Sequence, residues 1–328
     1  PTPHKQMPIG RVGSEMCIRD SIKILAIIGL IGVGGYMIFS HFQAPQGAVA
    51  SISNVWSHGG LFPKGTEGFL AGFQIAVFAF VGVELVGTTA AETKDPQKNL
   101  PKAINAIPVR IILFYVLALF IVMSVTPWDH IRADKSPFVE LFLNAGIPVS
   151  AIIMNLVVLS SVMSSMNSGV FSTSRMLFGL SKDGQAPGIL GRLSKRAVPS
   201  NGLIFSCIFI MGGAVLQYFV PNTMEAFTLA SSLCVILFIS VWILIMACYL
   251  RYRKTRPELH AASTFKMPGG VLMAYAVIAF FLFTLVILAL EPDTLKALYV
   301  SPVWVVVLGV TYYAFYKPRM KKLGREIF

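Results

Sequence analysis

The sequence predicts an all-α polytopic membrane protein, and three observations carry that prediction. Of the 328 residues, 55% are hydrophobic and only 13% charged, and the mean hydropathy is +0.71. Ordinary globular domains carry charge on about a quarter of their residues, and halving that share is what hydrocarbon demands, because charge within it is expensive. Apolar segments long enough to cross a bilayer, about 20 residues each, recur along the whole chain. The basic residues behind the net charge of +12 lie between those segments rather than on one polar domain. That is the arrangement of the positive-inside rule, not of a nucleic-acid-binding face.

Eight segments qualify as spans, at roughly 22–39, 69–90, 107–126, 149–171, 203–220, 226–249, 272–290 and 302–316. The last is short and calls on flanking residues or a thinner bilayer. Alternate loops then fall on opposite sides. One set carries Lys94, Lys98, Lys102 and Arg110; Arg175, Lys182, Arg192, Lys195 and Arg196; Arg251, Arg253, Lys254, Arg256 and Lys266; and Lys317, Arg319, Lys321, Lys322 and Arg325. The other carries Lys64, Arg132, Lys135 and Lys296. The richer set is predicted to be cytoplasmic, so the first span runs from inside to outside and the C-terminus, with its basic tail 317–328, lies inside. Trp128, after Pro127 at the outer end of the third span, fits an interfacial anchor.

The loops are too short for a further domain. GLIGVGG at 29–35 superficially matches a phosphate-binding loop, but no strand precedes it, and close helix packing explains the glycines better. Cys17, Cys207, Cys234 and Cys248 show no metal or disulfide spacing. The histidines, His4, His41, His58, His130 and His260, lie in the N-terminal tail and loops without zinc spacing, and no GxSxG elbow occurs. No cofactor and no enzymatic chemistry is implied. A secondary transporter, a channel or a sensor remains.

Three features could carry that activity. Glu84 lies within an apolar span, and an intramembrane carboxylate is a functional candidate by default. Gly82 beside it, with Gly72 and Gly87 above and below, weakens the helix. A break here would free backbone groups for an ionic substrate; the alternative is a straight helix with small residues for packing. Ser160, Ser161, Ser164, Ser165, Asn167 and Ser168 form a polar stripe, with Ser161, Ser164, Ser165 and Ser168 on one face. They are either site residues or interhelical hydrogen-bonding glue. Lys23, at the inner end of the first span, either snorkels to the interface or is a buried amine that carries a proton.

The long motifs also carry a resemblance. FAFVGVELVGTTAAETKDPQKNLPKAI and SGVFSTSRMLFGLSKDGQAPGILGRLSKRAVPSNGL resemble the sixth helix and following loop, and the eighth helix and following loop, of amino-acid permeases in the amino acid–polyamine–organocation superfamily. HFQAPQG, GLFPKG, SVTPW, KSPFVELF, RYRKTRPELH and KMPGG are most similar to the branch that takes up glycine, D-alanine and D-serine. The resemblance covers the chain from Ile22 onward. It implies a LeuT-like fold of twelve helices built on inverted repeats, with helices one and six broken around the site. On that plan the chain holds helices five to twelve, eight of the twelve, and lacks helices one to four.

The resemblance also assigns roles. It places the helix-six break at Ala79, Phe80, Val81 and Gly82, with Phe80 as a gate and Glu84 as a substrate or proton contact. It aligns Lys23 with the coupling lysine of helix five, and Ser164, Ser165 and Asn167 with the helix-eight stretch that flanks the site. The function implied is symport of a small neutral amino acid, D-serine, D-alanine or glycine, with a proton across the bacterial inner membrane. Alternatives are a permease for aminobutyrate, aromatic or branched amino acids, or a non-transporting fragment or sensor. A fragment without helices one to four is expected to be inactive alone.

Residues 1–21 stand apart from the permease domain at 22–328. VGSEMCIRDS resembles the translation of a transposase-end adapter used in preparing sequencing libraries, so this tail is expected to be non-native. It has no signal-peptide pattern.

Overall fold

The computed structural model describes residues 9–43, 49–60, 62–88, 93, 95–132, 135–195, 198–219 and 222–318. Part of the tail 1–21, nearly all of the basic tail 317–328, and Lys94 and Arg196 lie outside the described residues, as does the Cys17 side chain. The described chain is helical, with six helices long and apolar enough to cross a membrane.

The chain folds as two compact units, residues 1–63 with 105–168 and residues 64–104 with 169–328. In the first, α1 (Ile9–Phe39) is followed by the one-turn helix α2 (Asn54–Ser57). Helix α5 (Pro96–Ile111) enters this unit and passes through a π-helical stretch, Ile112–Leu117, into α6 (Ala118–Val125). The short helix α7 (Pro137–Asn144) and the first part of α8 (Pro148–Lys182) complete it. Leu30 and Met37 of α1, Ile121, Val122 and Val125 of α6, and Leu141 and Phe142 of α7 form its core.

Two of this unit's elements have readable causes. Helix α7 starts with Pro137 at its first position, where the missing N–H is no loss. It closes at Gly146, φ +75°, where Ile147 N–H donates to the Phe142 carbonyl at 3.1 Å. The stretch before α2 is tied to α6: Asn54 Nδ2 donates to the Val49 and Ser124 carbonyls at 2.8 and 2.9 Å. The Trp128 indole N–H donates to the His58 carbonyl at 2.9 Å. The neighbouring Asp129 meets the His58 ring at 3.1 Å.

In the second unit, α3 (Gly65–Phe78) and α4 (Leu85–Thr88) precede the start of α5, and the end of α8 leads into α9 (Ser200–Phe219). Then come α10 (Thr223–Thr255), the short α11 (Pro257–Ala262), α12 (Gly270–Leu290) and α13 (Pro292–Thr311), the last continued by a π-helical turn, Tyr312–Tyr316. Helix α10 is central and packs on α3, α12 and α13. Its core joins Val77 of α3, Val235, Ile236 and Ile239 of α10, Leu288 of α12 and Ala297 of α13. Asn222 caps α10 by accepting from the Met224 N–H at 3.0 Å. Pro257 ends α10 and opens α11.

The observed helices differ from the predicted spans at several places: the predicted 107–126 begins earlier, at Pro96, and the predicted 226–249 runs on to Thr255. The predicted span 69–90 is not one helix, since α3 and α4 are separated by residues 79–84. The predicted 149–171 continues to Lys182, because hydropathy records only the apolar part of a helix whose backbone runs on through a polar end. The predicted 302–316 begins ten residues earlier, at Pro292. There a proline takes the first helical position, and Thr294 Oγ1 donates to the Leu288 and Glu291 carbonyls at 2.6 and 3.2 Å.

Candidate functional site

The interruption of the α3–α4 helix is the feature on which a site can be built. The last helical hydrogen bond is from the Ala79 N–H to the Ile75 carbonyl at 3.0 Å, and residues 79–84 form tight turns. Phe80, Val81 and Val83 N–H groups donate three residues back, to Val77, Phe78 and Phe80, at 3.0, 3.1 and 3.3 Å. Leu85 then donates to the Gly82 carbonyl at 3.1 Å as α4 begins. Gly82 has φ +105°, a region open in practice only to glycine. The straight-helix alternative is therefore excluded by the backbone itself.

Glu84 completes the break. The Gly82 N–H donates to both Glu84 carboxylate oxygens, each at 3.1 Å. A donor that a continuous helix would have used internally is thus held by a carboxylate two residues on. Glu84 and Gly82 are half-buried, and Phe80 is 37% exposed. The chemistry on offer is a backbone N–H donor directed at negative charge and held here by a carboxylate.

The half-helix above the break is firmly seated. Phe73 meets Phe280 and Phe283 of α12 at ring distances of 6.3 and 6.1 Å, and Phe78 meets Phe227 of α10 at 6.0 Å. Gln74, only 5% exposed, donates through Nε2 to Ser231 Oγ of α10 at 2.9 Å. Gln74 is not among the residues that the sequence pattern singles out; its isolation as an amide in an apolar helix is the one signal that points to it.

The other predicted residues belong to the first unit. Lys23 is half-buried on α1. On α8, Ser164 is half-buried, and Ser165 and Asn167 are exposed. The serine stripe bonds backwards rather than across. Ser160 and Ser161 hydroxyls both donate to the Val157 carbonyl at 2.8 Å, and Ser168 donates to the Ser164 carbonyl at 3.0 Å. Serine hydroxyls in helices satisfy themselves this way, so these three bonds are not interhelical glue. Among the described residues no cluster of three or more histidine, cysteine or acidic side chains could hold a metal ion.

Comparison with known proteins adds the following. A family model for amino acid permeases matches residues 13–324. The D-serine/D-alanine/glycine transporter of Escherichia coli (strain K12) is 57% identical over 304 residues, 93% of this chain and 65% of the relative. The amino-acid permease AapA of Bacillus subtilis (strain 168) is 51% identical over 291 residues, 89% of this chain and 62% of that protein. The chain thus spans just under two thirds of the length of these relatives.

Proposed function

The chain belongs to the amino acid permease family, and from that premise we propose that it serves uptake of small neutral amino acids, glycine, D-alanine and D-serine, in symport with a proton. The membrane is the bacterial cytoplasmic membrane, with the C-terminus inside. The chain is multi-pass, and the excess of basic residues in alternate loops supports this orientation.

The observation that carries the reading is the Gly82 N–H held by the Glu84 carboxylate within a broken helix. A zwitterionic amino acid brings a carboxylate that needs N–H donors and an ammonium that needs carbonyls; helix breaks supply both. While Glu84 is ionised it holds the amide for itself. A protonated Glu84 is a weaker acceptor, and the substrate carboxylate takes its place on the Gly82 N–H. One proton and one substrate therefore enter together. Ala79, Phe80 and Val81 line the same turns, with Phe80 as the side chain that closes over the ligand. Lys23 is the second group proposed for the proton, and Ser164, Ser165 and Asn167 are the helix-eight residues proposed to flank the substrate.

The test uses the chain joined to the part of the E. coli transporter that its match leaves uncovered. This joined transporter is expressed in bacteria deprived of their own glycine and D-alanine uptake. Concentrative uptake of labelled D-alanine is expected, with competition by glycine and D-serine. Competition by aminobutyrate, aromatic or branched amino acids alone would move the assignment to another substrate. Glu84→Gln abolishes concentrative uptake; accumulation at the unsubstituted level would remove Glu84 from the coupling.

A further inference from the structure

We propose that Gln74 and Ser231 form a positioning pair that fixes the roll of the outer half-helix and so aims the residues of the break; the transport consequence rests on the reading above. Both residues are buried, at 5% and 2% exposure, and they join helices 157 residues apart in sequence. The bond is part of a chain: Gln74 Nε2 donates to Ser231 Oγ at 2.9 Å, and Ser231 Oγ donates to the Thr228 carbonyl at 3.1 Å. Ser232 Oγ donates to the same carbonyl at 2.6 Å. The amide therefore meets a hydroxyl that is itself fixed on α10.

A continuous helix needs no such device, because its hydrogen-bond ladder transmits orientation from one end to the other. Here the ladder stops at Ala79. The roll of α3 is set only by what α3 touches. Most of those contacts are apolar: Val77 in the core, Phe73 on the α12 rings and Phe78 on Phe227. Such contacts tolerate sliding and rotation. A hydrogen bond does not, since it holds only within a few tenths of an ångström and a limited angle. Gln74 lies five residues before Ala79, roughly 7.5 Å along the axis. A roll by one residue, about 100°, would break the bond to Ser231 and turn Phe80 and Gly82 away with it.

Stability alone does not account for the pair. Hydrogen bonds between membrane helices contribute little net energy, and two apolar side chains would fill the same space without desolvating an amide. What the pair adds is direction.

The experiment compares the chain with Gln74→Met, Ser231→Ala and the double substitution, each in lipid nanodiscs. The first reading is amide hydrogen exchange over residues 81–84. Each single substitution is expected to speed exchange about fivefold, the effect of losing roughly one net hydrogen bond. The double substitution is expected to add nothing, because both act through one bond, and exchange across 235–245 of α10 is expected to stay unchanged. Unchanged exchange at 81–84, or a double effect equal to the product of the singles, overturns the proposal. Ser231→Ala removes the same bond with little loss of volume, so it decides the matter where Gln74→Met does not fold.

The second reading is the apparent affinity of the joined transporter for glycine. The KM is expected to rise about fivefold with an unchanged Vmax per transporter in the membrane. A purely structural role would lower the amount of transporter and leave KM where it was, which would also overturn the proposal. If the unsubstituted joined transporter takes up no amino acid, the functional reading falls, and the exchange measurement still decides the positioning pair.

Discussion

Gly82→Ala isolates the contribution of the break from every other property of the helix. An alanine Cβ at this position meets nothing within 4 Å, so the substitution introduces no clash. Its effect is purely conformational and has two parts. At φ +105° a side-chain-bearing residue is strained, which costs about 1–3 kcal/mol. In an unbroken helix alanine is favoured over glycine by about 1 kcal/mol. Together these move the balance between broken and straight helix by about 2–4 kcal/mol, or roughly 30- to 700-fold. Binding affinity falls by the fraction of molecules left in the competent form. The apparent KM for glycine in the joined transporter is therefore expected to rise at least about tenfold. Thermal unfolding should change little, because the straight helix is no less hydrogen-bonded than the broken one. Hydrogen exchange over 81–86 should slow as the ladder closes. Uptake with an unchanged KM, or exchange that does not slow, would refute the claim that Gly82 is present for its backbone.

Other expectations concern stability. Gly202→Ala places a Cβ 2.9 Å from the Ser174 carbonyl oxygen and 3.3 Å from its Cα, backbone atoms that cannot swing aside. It should separate α8 from α9 and lower the thermal midpoint by several degrees, equivalent to about 1–3 kcal/mol; an unchanged midpoint would show that the two helices slide freely. Asn54→Ala and His58→Ala, four residues apart, should differ. Asn54 loses a part-buried and a buried bond, at 2.8 and 2.9 Å, while the Ser124 carbonyl keeps the Ser51 N–H; two net hydrogen bonds amount to about 1–3 kcal/mol. His58 loses a contact with Asp129 whose side chains are 33% and 40% exposed, and exposed polar pairs of this kind contribute under about 1 kcal/mol. Guanidinium unfolding in micelles orders the two, and a His58 effect equal to that of Asn54 would contradict the assignment.

The helix break was legible because membranes make some residues conspicuous. Glu84 and Gly82 stood out in the sequence since a carboxylate in an apolar span is costly and a glycine beside it weakens the helix. Their mutual contact, the Gly82 N–H on the Glu84 carboxylate, was not legible, because it depends on a turn that no periodicity encodes. The serine stripe was visible for its spacing, yet spacing cannot say whether a hydroxyl turns to a neighbouring helix or back to its own. Ser160, Ser161 and Ser168 turn back. Span ends were the least legible part. Hydropathy ends where polarity begins, but the α8 backbone continues to Lys182 and α13 starts at Pro292.

Gln74 shows why one polar residue in a span was passed over. Its meaning lies in Ser231, which is buried on a helix far along the chain. Its partner's meaning lies in turn in Thr228, whose carbonyl anchors the hydroxyl. Taken alone, each is an ordinary membrane-helix residue. A broken helix creates two requirements that a straight one lacks: the freed amide needs an occupant that can leave, and the severed half needs an anchor that cannot turn. Under the proposed coupling, Glu84 meets the first with the carboxylate that holds the Gly82 N–H. Gln74 meets the second with a neutral amide, which no pH in the cell can titrate. On this reasoning the two sites answer differently to acid: Gln74→Met should raise KM by the same factor at pH 5.5 and 7.5, whereas Glu84→Gln should remove the pH dependence of uptake. A pH-dependent effect of Gln74→Met would mean that the anchor and the proton site are one device rather than two.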